Sequence, residues 1–213
     1  GVVGDPQRVR KYGETIQGEA RRLGETVERV LQLAGIAAGR AAAQQTPIAP
    51  ESLVEESIAA CRPEIDAAGF NVEVAVADGL PNVVGDVAAL RSALQNLISN
   101  AVKYGGDARW IRVSASLTPP RPGLVQTVDR RYRIRRGRAV YFAVETHGNG
   151  IDPDDRKHIF EPFYRGREAV SQQIQGSGLG LNLVQPIAEA HGGNVGVTSE
   201  PGHGSTFTLS LPA

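Results

Sequence analysis

Two asparagines and a lysine near the middle of the chain have side chains and spacing suited to binding a charged ligand. Asn96, Asn100 and Lys103 are separated by four and three residues, so a helix would place all three on one face. Amide oxygens can bind a hard cation, and amide and ammonium groups can donate hydrogen bonds to phosphate. Because many solvated helix faces carry similar residues, this pattern alone is only a weak indication of a phosphate or metal site.

Two glycine-rich segments could bring the backbone close to the same ligand. Residues 147–151, with the sequence HGNGI, follow a predicted strand, and their two glycines would allow close approach to a flat molecule. Residues 176–181, with the sequence GSGLGL, open a predicted helix whose free N–H groups would form an anion site. The polar stretch 165–175 lacks periodicity and is predicted to be a mobile lid. Taken singly, each glycine segment is also consistent with an ordinary turn.

Apolar periodicity predicts the helix that would carry the two asparagines. Asp86 is the expected N-cap, and the helix should end at about Tyr104, before a pair of glycines. Its buried stripe would consist of Leu90, Leu94, Leu97 and Ala101. The flanking side chains expected to face water are Arg91, Gln95 and Ser99.

The remaining pattern predicts an α+β two-layer sandwich. Strands are expected at about 71–77, 110–117, 138–146, 193–199 and 204–211, with helices at about 54–68 and 178–191. Cys61 lies on the apolar face of the helix at 54–68 and is expected to be a small core residue. Because helices and strands alternate without a strict βαβ rhythm, a mixed β-sheet covered on one face by helices is predicted.

A long N-terminal helix is predicted over residues 5–39, capped by Asp5. Its apolar seam has alternating spacings of three and four, at Val9, Tyr12, Ile16, Ala20, Leu23, Val27, Val30, Ala34 and Ala37. The seam favours half of a helical hairpin in an oligomerisation bundle, and packing on its own domain is the alternative. A linker at 44–50 predicts two domains, 1–45 and 46–213.

Near the end of the segment 118–138, six arginines fall within nine residues: Arg130, Arg131, Arg133, Arg135, Arg136 and Arg138. Such a cluster could bind nucleic acid, but Tyr132 and Ile134 alternate with the arginines, as in an exposed hairpin. The chain has 23 basic and 23 acidic residues and a formal net charge of zero. The hairpin is therefore the favoured interpretation, and no nucleic-acid partner is expected.

The whole-chain composition is that of an ordinary soluble domain. We find no apolar stretch long enough to span a bilayer, so a cytoplasmic location is expected, with membrane anchoring of a parent protein left open. The sequence contains no methionine, even at position 1, and is expected to be a segment of a longer protein.

The order of these motifs resembles the ATP-binding catalytic domain of bacterial sensor histidine kinases. Residues 94–104 look like that family's N box, 147–151 its first glycine box, and 159–165 its F box. Residues 176–181 look like the second glycine box, and 202–207 match the closing turn and strand. The resemblance covers about 50–213, and the helix at 5–39 resembles the second helix of the dimerisation and phosphotransfer bundle.

The resemblance implies a site for Mg²⁺ and ATP. Asn96 would bind the metal, Asn100 and Lys103 the phosphates, and Tyr104 would lie against the adenine. Glycines of the first box would let the backbone approach the base, and those of the second would cradle phosphates under the lid. The full set of implied binding residues is Asn96, Asn100, Lys103, Tyr104, Thr146, Gly148, Gly150, Ile151, Arg165, Gly176, Gly178, Leu179 and Gly180.

Two departures from the family pattern stand out. The family's first glycine box begins with an aspartate that accepts a hydrogen bond from the adenine amino group, and here that position is Thr146. Glu145 is not expected to replace it, because neighbouring strand residues face opposite sides. The histidines of this chain, His147, His158, His191 and His203, all lie outside the family's phosphoacceptor motif.

The expected function is therefore transfer of the γ-phosphoryl group of ATP to a histidine absent from this chain. A receiver protein would take the phosphoryl group next, and the parent protein would be a homodimer. One alternative is a related ATP hydrolase, disfavoured because its water-activating glutamate is replaced by Ser92. The other is a degenerate nucleotide site acting as a signalling scaffold, which Thr146 favours.

Overall fold

The computed structural model describes residues 6–37, 45–120, 126–127, 138–167 and 178–213. The helices are α1 (Pro6–Ala37), α2 (Pro50–Ala68), α3 (Val87–Tyr104) and α4 (Gly180–Ala190). The strands are β1 (Thr46–Ile48), β2 (Asn71–Val76), β3 (Val83–Gly85), β4 (Trp110–Ser116), β5 (Gln126–Thr127), β6 (Ala139–Thr146), β7 (Asn194–Glu200) and β8 (Gly204–Pro212).

The main sheet is mixed, in the order β2-β4-β6-β8-β7-β5. β2 and β4 are parallel, and every other neighbouring pair is antiparallel. Alternation along β4 buries Ile111, Val113 and Ala115 against the helices and leaves Arg112 and Ser114 half-buried on the other face. Helices α2, α3 and α4 pack on the sheet, so the predicted two-layer α+β sandwich is confirmed.

Helix α3 is the central helix of the core. Asp86 caps it as predicted, its carboxylate accepting hydrogen bonds from the backbone N–H groups of Ala88 and Ala89. The predicted stripe is also confirmed, since Leu90, Leu94, Leu97 and Ala101 are all buried.

The flank of α3 is partly covered by α2 as well as open to water. The Ser99 hydroxyl donates to Glu64 of α2 at 2.9 Å, and Arg91, whose side chain is 40% exposed, pairs with Glu56 of α2 at 3.1 Å. On α2, Cys61 is buried as predicted, and loss of solvation raises the pKa of its thiol to about 11. The apolar periodicity of α3 could not indicate a neighbour that covers its polar flank.

The predicted linker at 44–50 contains a strand. β1 pairs antiparallel with β3, and α2 begins at Pro50, where a proline in the first turn costs no hydrogen bond. Most of the arginine-rich segment, and the hairpin predicted there, lies outside the described residues. The part of it that is described, β5, pairs with β7 at the edge of the sheet.

Helix α1 presents apolar side chains to solvent along the predicted seam. Val9, Tyr12, Ile16 and Val27 of that seam are each at least half exposed, as is Leu31 beside it, while the backbone of α1 lies beside α4. The predicted N-cap, Asp5, lies outside the described residues. Within the described ranges, no helix combines the length and apolarity needed to cross a membrane.

A buried histidine ties the two central helices together. Nε2 of His191, at the end of α4, accepts a hydrogen bond of 3.0 Å from the backbone N–H of Asp86, at the start of α3. Nδ1 therefore carries the proton and donates to the Ile187 carbonyl at 2.7 Å. Gly85 leaves the space for the ring, because a Cβ atom there would clash with it. This bond fixes the distance between the ends of α3 and α4.

Candidate functional site

A cleft of about 530 Å³ lies between α3 and the segment that follows β6. Its floor is formed by the ends of β6 and β8, and the first turn of α4 closes one side. Of the predicted binding residues, the cleft is lined by Asn96, Asn100, Lys103, Tyr104, Thr146, Gly150, Ile151, Arg165, Gly178 and Gly180. Residues distant in sequence thus meet around one cavity, as a binding site requires.

Asn96 presents a carbonyl oxygen toward the first turn of α4. Its Nδ2 donates to the Ser92 carbonyl at 2.8 Å, which fixes the orientation of the amide. The Oδ1 atom points at Gly180, since a Cβ built there would lie only 3.0 Å from it. A fixed amide oxygen beside a helix N-terminus is suited to a hard cation that also contacts an anion.

Asn100 contributes a donor without an acceptor. Its Nδ2 atom is buried, and among the described residues it has no hydrogen-bond partner. A buried unsatisfied donor costs about 1–3 kcal/mol, so native structures rarely keep one without a reason. A phosphate oxygen of a ligand in the cleft would supply the missing acceptor.

Lys103 and Tyr104 complete the α3 wall at its C-terminal end. Lys103 Nζ is 3.8 Å from a carboxylate oxygen of Glu64 on α2. Burial raises the pKa of the Tyr104 hydroxyl, and the positive charge of Arg165 across the cleft partly opposes that rise. A cationic side chain therefore lies close to Tyr104 on the far side of the cavity.

The floor carries two hydroxyl groups in an otherwise apolar setting. Thr146 pairs with Ser205 across the β6–β8 ladder, and their Oγ atoms are 3.4 Å apart. Ile151 and Phe207 line the cleft beside them. Glu145 points to the opposite face of the sheet, where it lies 3.9 Å from His147 Nε2, as strand alternation predicted.

The glycines of the first box fit the protein backbone tightly. Gly150 has φ of 74°, and a Cβ there would clash with the Glu200 carbonyl. A Cβ on Gly148 would clash with the backbone of Tyr104 and Gly105, so Gly148 lies behind the cleft wall. These glycines therefore seat the loop against α3 and β7, in addition to any approach to a ligand.

The wall opposite α3 is organised around Asp155, which the sequence analysis did not single out. Its carboxylate accepts hydrogen bonds from the Tyr164 hydroxyl at 2.7 Å and the Arg167 backbone N–H at 3.0 Å. Burial acts to raise the pKa of Asp155, but these hydrogen bonds and the Arg167 charge outweigh it and hold the pKa below its ordinary value. The hydrogen bond between Tyr164 and Asp155 also raises the pKa of the Tyr164 hydroxyl.

The second glycine box approaches this wall at Gly178, which has φ of 69°. The Phe163 N–H donates to the Gly178 carbonyl at 3.1 Å, and Phe163 itself has φ of 62° with a largely exposed ring. Leu179 is buried behind the cleft and is the N-cap residue of α4. Gly176 lies outside the described residues. The hydrogen bond between Phe163 and Gly178 joins the chain just before residues 165–175, the segment predicted to be a lid, to the chain just after it.

Several cleft residues were not predicted as binding residues: Ser99, Asn149, Asp152, Asp155, Ile159, Tyr164, Arg167, Ser205 and Phe207. Tyr164, Ser205 and Phe207 lie within motifs that the sequence analysis recognised, so their motif membership was an available signal. Asp155 had no such signal, because its role depends on contacts with residues nine and twelve positions later.

Comparison with known proteins agrees with this geometry. A family model described as "Histidine kinase-, DNA gyrase B-, and HSP90-like ATPase" matches residues 85–213. The sensor-like histidine kinase SenX3 of Mycobacterium tuberculosis is 37% identical over 209 residues, covering 98% of this chain and 46% of SenX3. The chain therefore spans about half the length of SenX3.

Two solved structures extend the comparison. Full-length ShkA in complex with AMPPNP superposes with a TM-score of 0.70 and 30% identity, covering 95% of this chain and 38% of ShkA. The Acinetobacter baumannii histidine kinase AdeS shares the fold with a TM-score of 0.69 at 19% identity, covering 98% of this chain and 85% of AdeS.

The chain therefore belongs to the family of histidine kinase-, DNA gyrase B- and HSP90-like ATPases. Within that family it carries the ATP-binding catalytic domain of sensor histidine kinases.

Proposed function

We propose that this chain binds Mg²⁺–ATP in the cleft and transfers the γ-phosphoryl group to a histidine supplied by another segment or protein. The observation that carries the proposal is the pair of amides on α3. Asn96 offers a fixed oxygen beside Gly180, and Asn100 offers a buried donor whose acceptor is missing. One group suits a cation and the other an anion, as in a metal–phosphate ligand.

The distribution of polar groups supports one orientation of the nucleotide. Asn100, Lys103 and Arg165 line the same cleft as the first turn of α4, and all of them favour negative charge. The floor instead offers the hydroxyls of Thr146 and Ser205 among apolar side chains. The phosphates would therefore lie between α3 and α4, with the base on the floor.

The residues present fit a magnesium ion bound together with the triphosphate. Asn96 would hold the ion through Oδ1, and the phosphates would complete its oxygen ligands. Bound Mg²⁺ would neutralise the charge that develops on the transferred phosphoryl group. Asn96 is the metal ligand that we propose from this chain.

The chain's contribution to the reaction is positioning. In the proposed step the bond between the γ-phosphorus and the oxygen of ADP breaks, and a bond to the acceptor imidazole nitrogen forms. Arg165 and Lys103 would stabilise charge on the phosphates, while Tyr104 would contact the base at the rim. Catalysis of phosphoryl transfer depends almost entirely on such alignment and charge stabilisation.

Partners follow from the exposed seam of α1 and from the kind of relatives the chain has. We infer that the parent protein is a homodimer through α1, because Val9, Ile16 and Leu31 expose apolar surface that a second helix would cover. A response-regulator receiver domain is the inferred recipient of the phosphoryl group. We place the domain in the cytoplasm, where ATP is available.

The test is incubation of the full chain with γ-labelled ATP, Mg²⁺ and a histidine-bearing helical hairpin supplied in trans. We expect an acid-labile, base-stable label on the hairpin, and its loss in Asn96→Ala. The matched control is Glu73→Gln, whose exposed side chain pairs with Arg112 on the opposite face of the sheet. Release of free phosphate without labelling would favour the hydrolase alternative, and nucleotide binding with neither product would favour the scaffold.

A further inference from the structure

The hydroxyl pair on the cleft floor determines which nucleotide base can be read there. Thr146 is only 5% exposed, so a ligand edge that reaches it is shielded from bulk water. Its Oγ1 lies 3.4 Å from Ser205 Oγ and 3.5 Å from the Ser205 carbonyl oxygen. Both distances are long for hydroxyl hydrogen bonds, so neither hydroxyl is firmly committed by this contact.

Among the residues that the structure describes, the carboxylates that line the cleft, Asp152 and Asp155, are engaged in other hydrogen bonds. Asp155 accepts hydrogen bonds from Tyr164 and from the Arg167 backbone. Asp152 is exposed at the rim, and its carboxylate accepts the backbone N–H of Asp154 at 2.8 Å. A base lying on the floor would therefore meet hydroxyl groups rather than a carboxylate.

Hydroxyl groups do not discriminate between the two kinds of purine edge. Each can donate one hydrogen bond and accept others, and its hydrogen rotates to suit the partner. A 6-aminopurine presents an amino donor beside a ring-nitrogen acceptor, whereas a 6-oxopurine presents a carbonyl acceptor beside an N–H donor. Two adjacent hydroxyls can match either edge, whereas a carboxylate only accepts and would repel the 6-oxo group.

We infer that Thr146 and Ser205 make this site permissive for 6-oxopurine nucleoside triphosphates as well as ATP. The inference rests on the proposed function, because it requires the base to lie on the Thr146–Ser205 floor. Thr146 is the specificity-determining residue, since it is the more buried of the two and lies at the end of β6.

The experiment is calorimetric titration of the full chain with the Mg²⁺ complexes of ATP and inosine triphosphate. Inosine triphosphate is the chosen probe because it differs from ATP only along the edge that meets the floor. We expect its Kd to lie within about tenfold of that for ATP, since neutral hydrogen bonds serve both edges. The ratio of the two Kd values, measured on the wild-type chain, tests the inference without any variant.

Two substitutions sharpen the test. Thr146→Asp should lower the Kd for ATP by roughly five- to thirtyfold and raise the Kd for inosine triphosphate by at least about tenfold. The reason is that a charged acceptor favours the amino group alone. Thr146→Val keeps the shape of the side chain but removes its hydroxyl, and should weaken both nucleotides by similar factors.

The outcomes separate this inference from the proposed function. Wild-type chain that binds ATP but binds inosine triphosphate more than about a hundredfold more weakly would overturn the inference and leave the proposed function standing. An unchanged ratio of the two affinities in folded Thr146→Asp would also overturn it. Folded wild-type chain that binds neither nucleotide would instead overturn the proposed function.

Discussion

The Tyr164 hydroxyl donates a 2.7 Å hydrogen bond to Asp155, and the backbone N–H of Arg167 donates to the other oxygen of the same carboxylate. Arg165 lies between these two donors in sequence and lines the cleft. The carboxylate therefore anchors the chain on both sides of Arg165, the cationic side chain that we assign to the phosphates. Asp155 is a positioning residue for Arg165.

Removing the Asp155 charge should weaken ATP binding. We expect Asp155→Asn and Tyr164→Phe each to raise the Kd for Mg²⁺–ATP by roughly three- to thirtyfold, because only part of the about 1.5–3 kcal/mol of a hydrogen bond to a charged group is transmitted to binding through Arg165. Since both substitutions disrupt one bond, the double variant should lose less than the sum of the two losses in binding free energy. Strict additivity, measured by calorimetry, would show that the two residues act independently.

The Asp155 carboxylate should make the stability of the folded protein depend on pH. The folded-state pKa of Asp155 is below its ordinary value, so its stabilising contribution is complete above the unfolded-state pKa of about 4. That contribution is lost as the pH falls through the lower folded-state pKa. Thermal unfolding should therefore show Asp155→Asn melting below wild type at pH 7, with the gap narrowing as the pH is lowered below about 4. A gap that stays constant over this range would contradict the charged hydrogen bond.

Asn96→Ala should weaken nucleotide binding through the metal while leaving the fold intact. We expect the Kd for Mg²⁺–ATP to rise roughly tenfold to a hundredfold, with a much smaller change when Mg²⁺ is replaced by a chelator. The control is Asn71→Ala, since Asn71 is exposed at the start of β2, away from the cleft. Equal affinity in wild type and Asn96→Ala would remove Asn96 from the site.

The seam of α1 should mediate self-association. Val9, Tyr12, Ile16, Val27 and Leu31 are between 50% and 69% exposed, which leaves a long apolar stripe in water. Sedimentation velocity should show concentration-dependent dimerisation of the full chain and a monomer for residues 46–213. The charged variant Ile16→Glu should shift the full chain toward monomer, and a monomeric wild type at every concentration would contradict the prediction.

His191→Ala should destabilise the fold without touching the cleft. The backbone N–H of Asp86 would lose its acceptor, and the buried ring would leave a void, so a loss of about 2–4 kcal/mol in the free energy of unfolding is expected. His203→Ala is the matched control because His203 is exposed in the turn before β8. Urea denaturation measures both, and equal stability of the two variants would refute a structural role for His191.

Sequence periodicity predicted the parts of the site that depend on a single element. The spacing of Asn96 and Asn100 placed both in the cleft because a helix repeats every 3.6 residues, and strand alternation separated Thr146 from Glu145. The family resemblance was also needed to assign Thr146 to the cleft, because it located the first glycine box at the end of β6.

The remaining parts depend on contacts between elements, which periodicity does not report. Ser205 reaches the floor only because the β6–β8 register pairs it with Thr146. Ser99 contacts α2 because that helix covers part of the polar flank of α3. Asp155 looked like one acidic residue among several until the fold brought Tyr164 and Arg167 to it.

The hydrogen bond between His191 and Asp86 has a consequence for the thermodynamics of ligand binding. It joins the start of α3 to the end of α4, while the first residue of α4, Gly180, lies against Asn96 in the middle of α3, so the separation of the two walls is set during folding. A nucleotide that enters the cleft meets preorganised walls and need not draw the helices together. The entropy cost of binding should therefore contain little from closure of the helices, and the heat-capacity change on binding should report burial of nucleotide and cleft surface rather than movement of the helical frame.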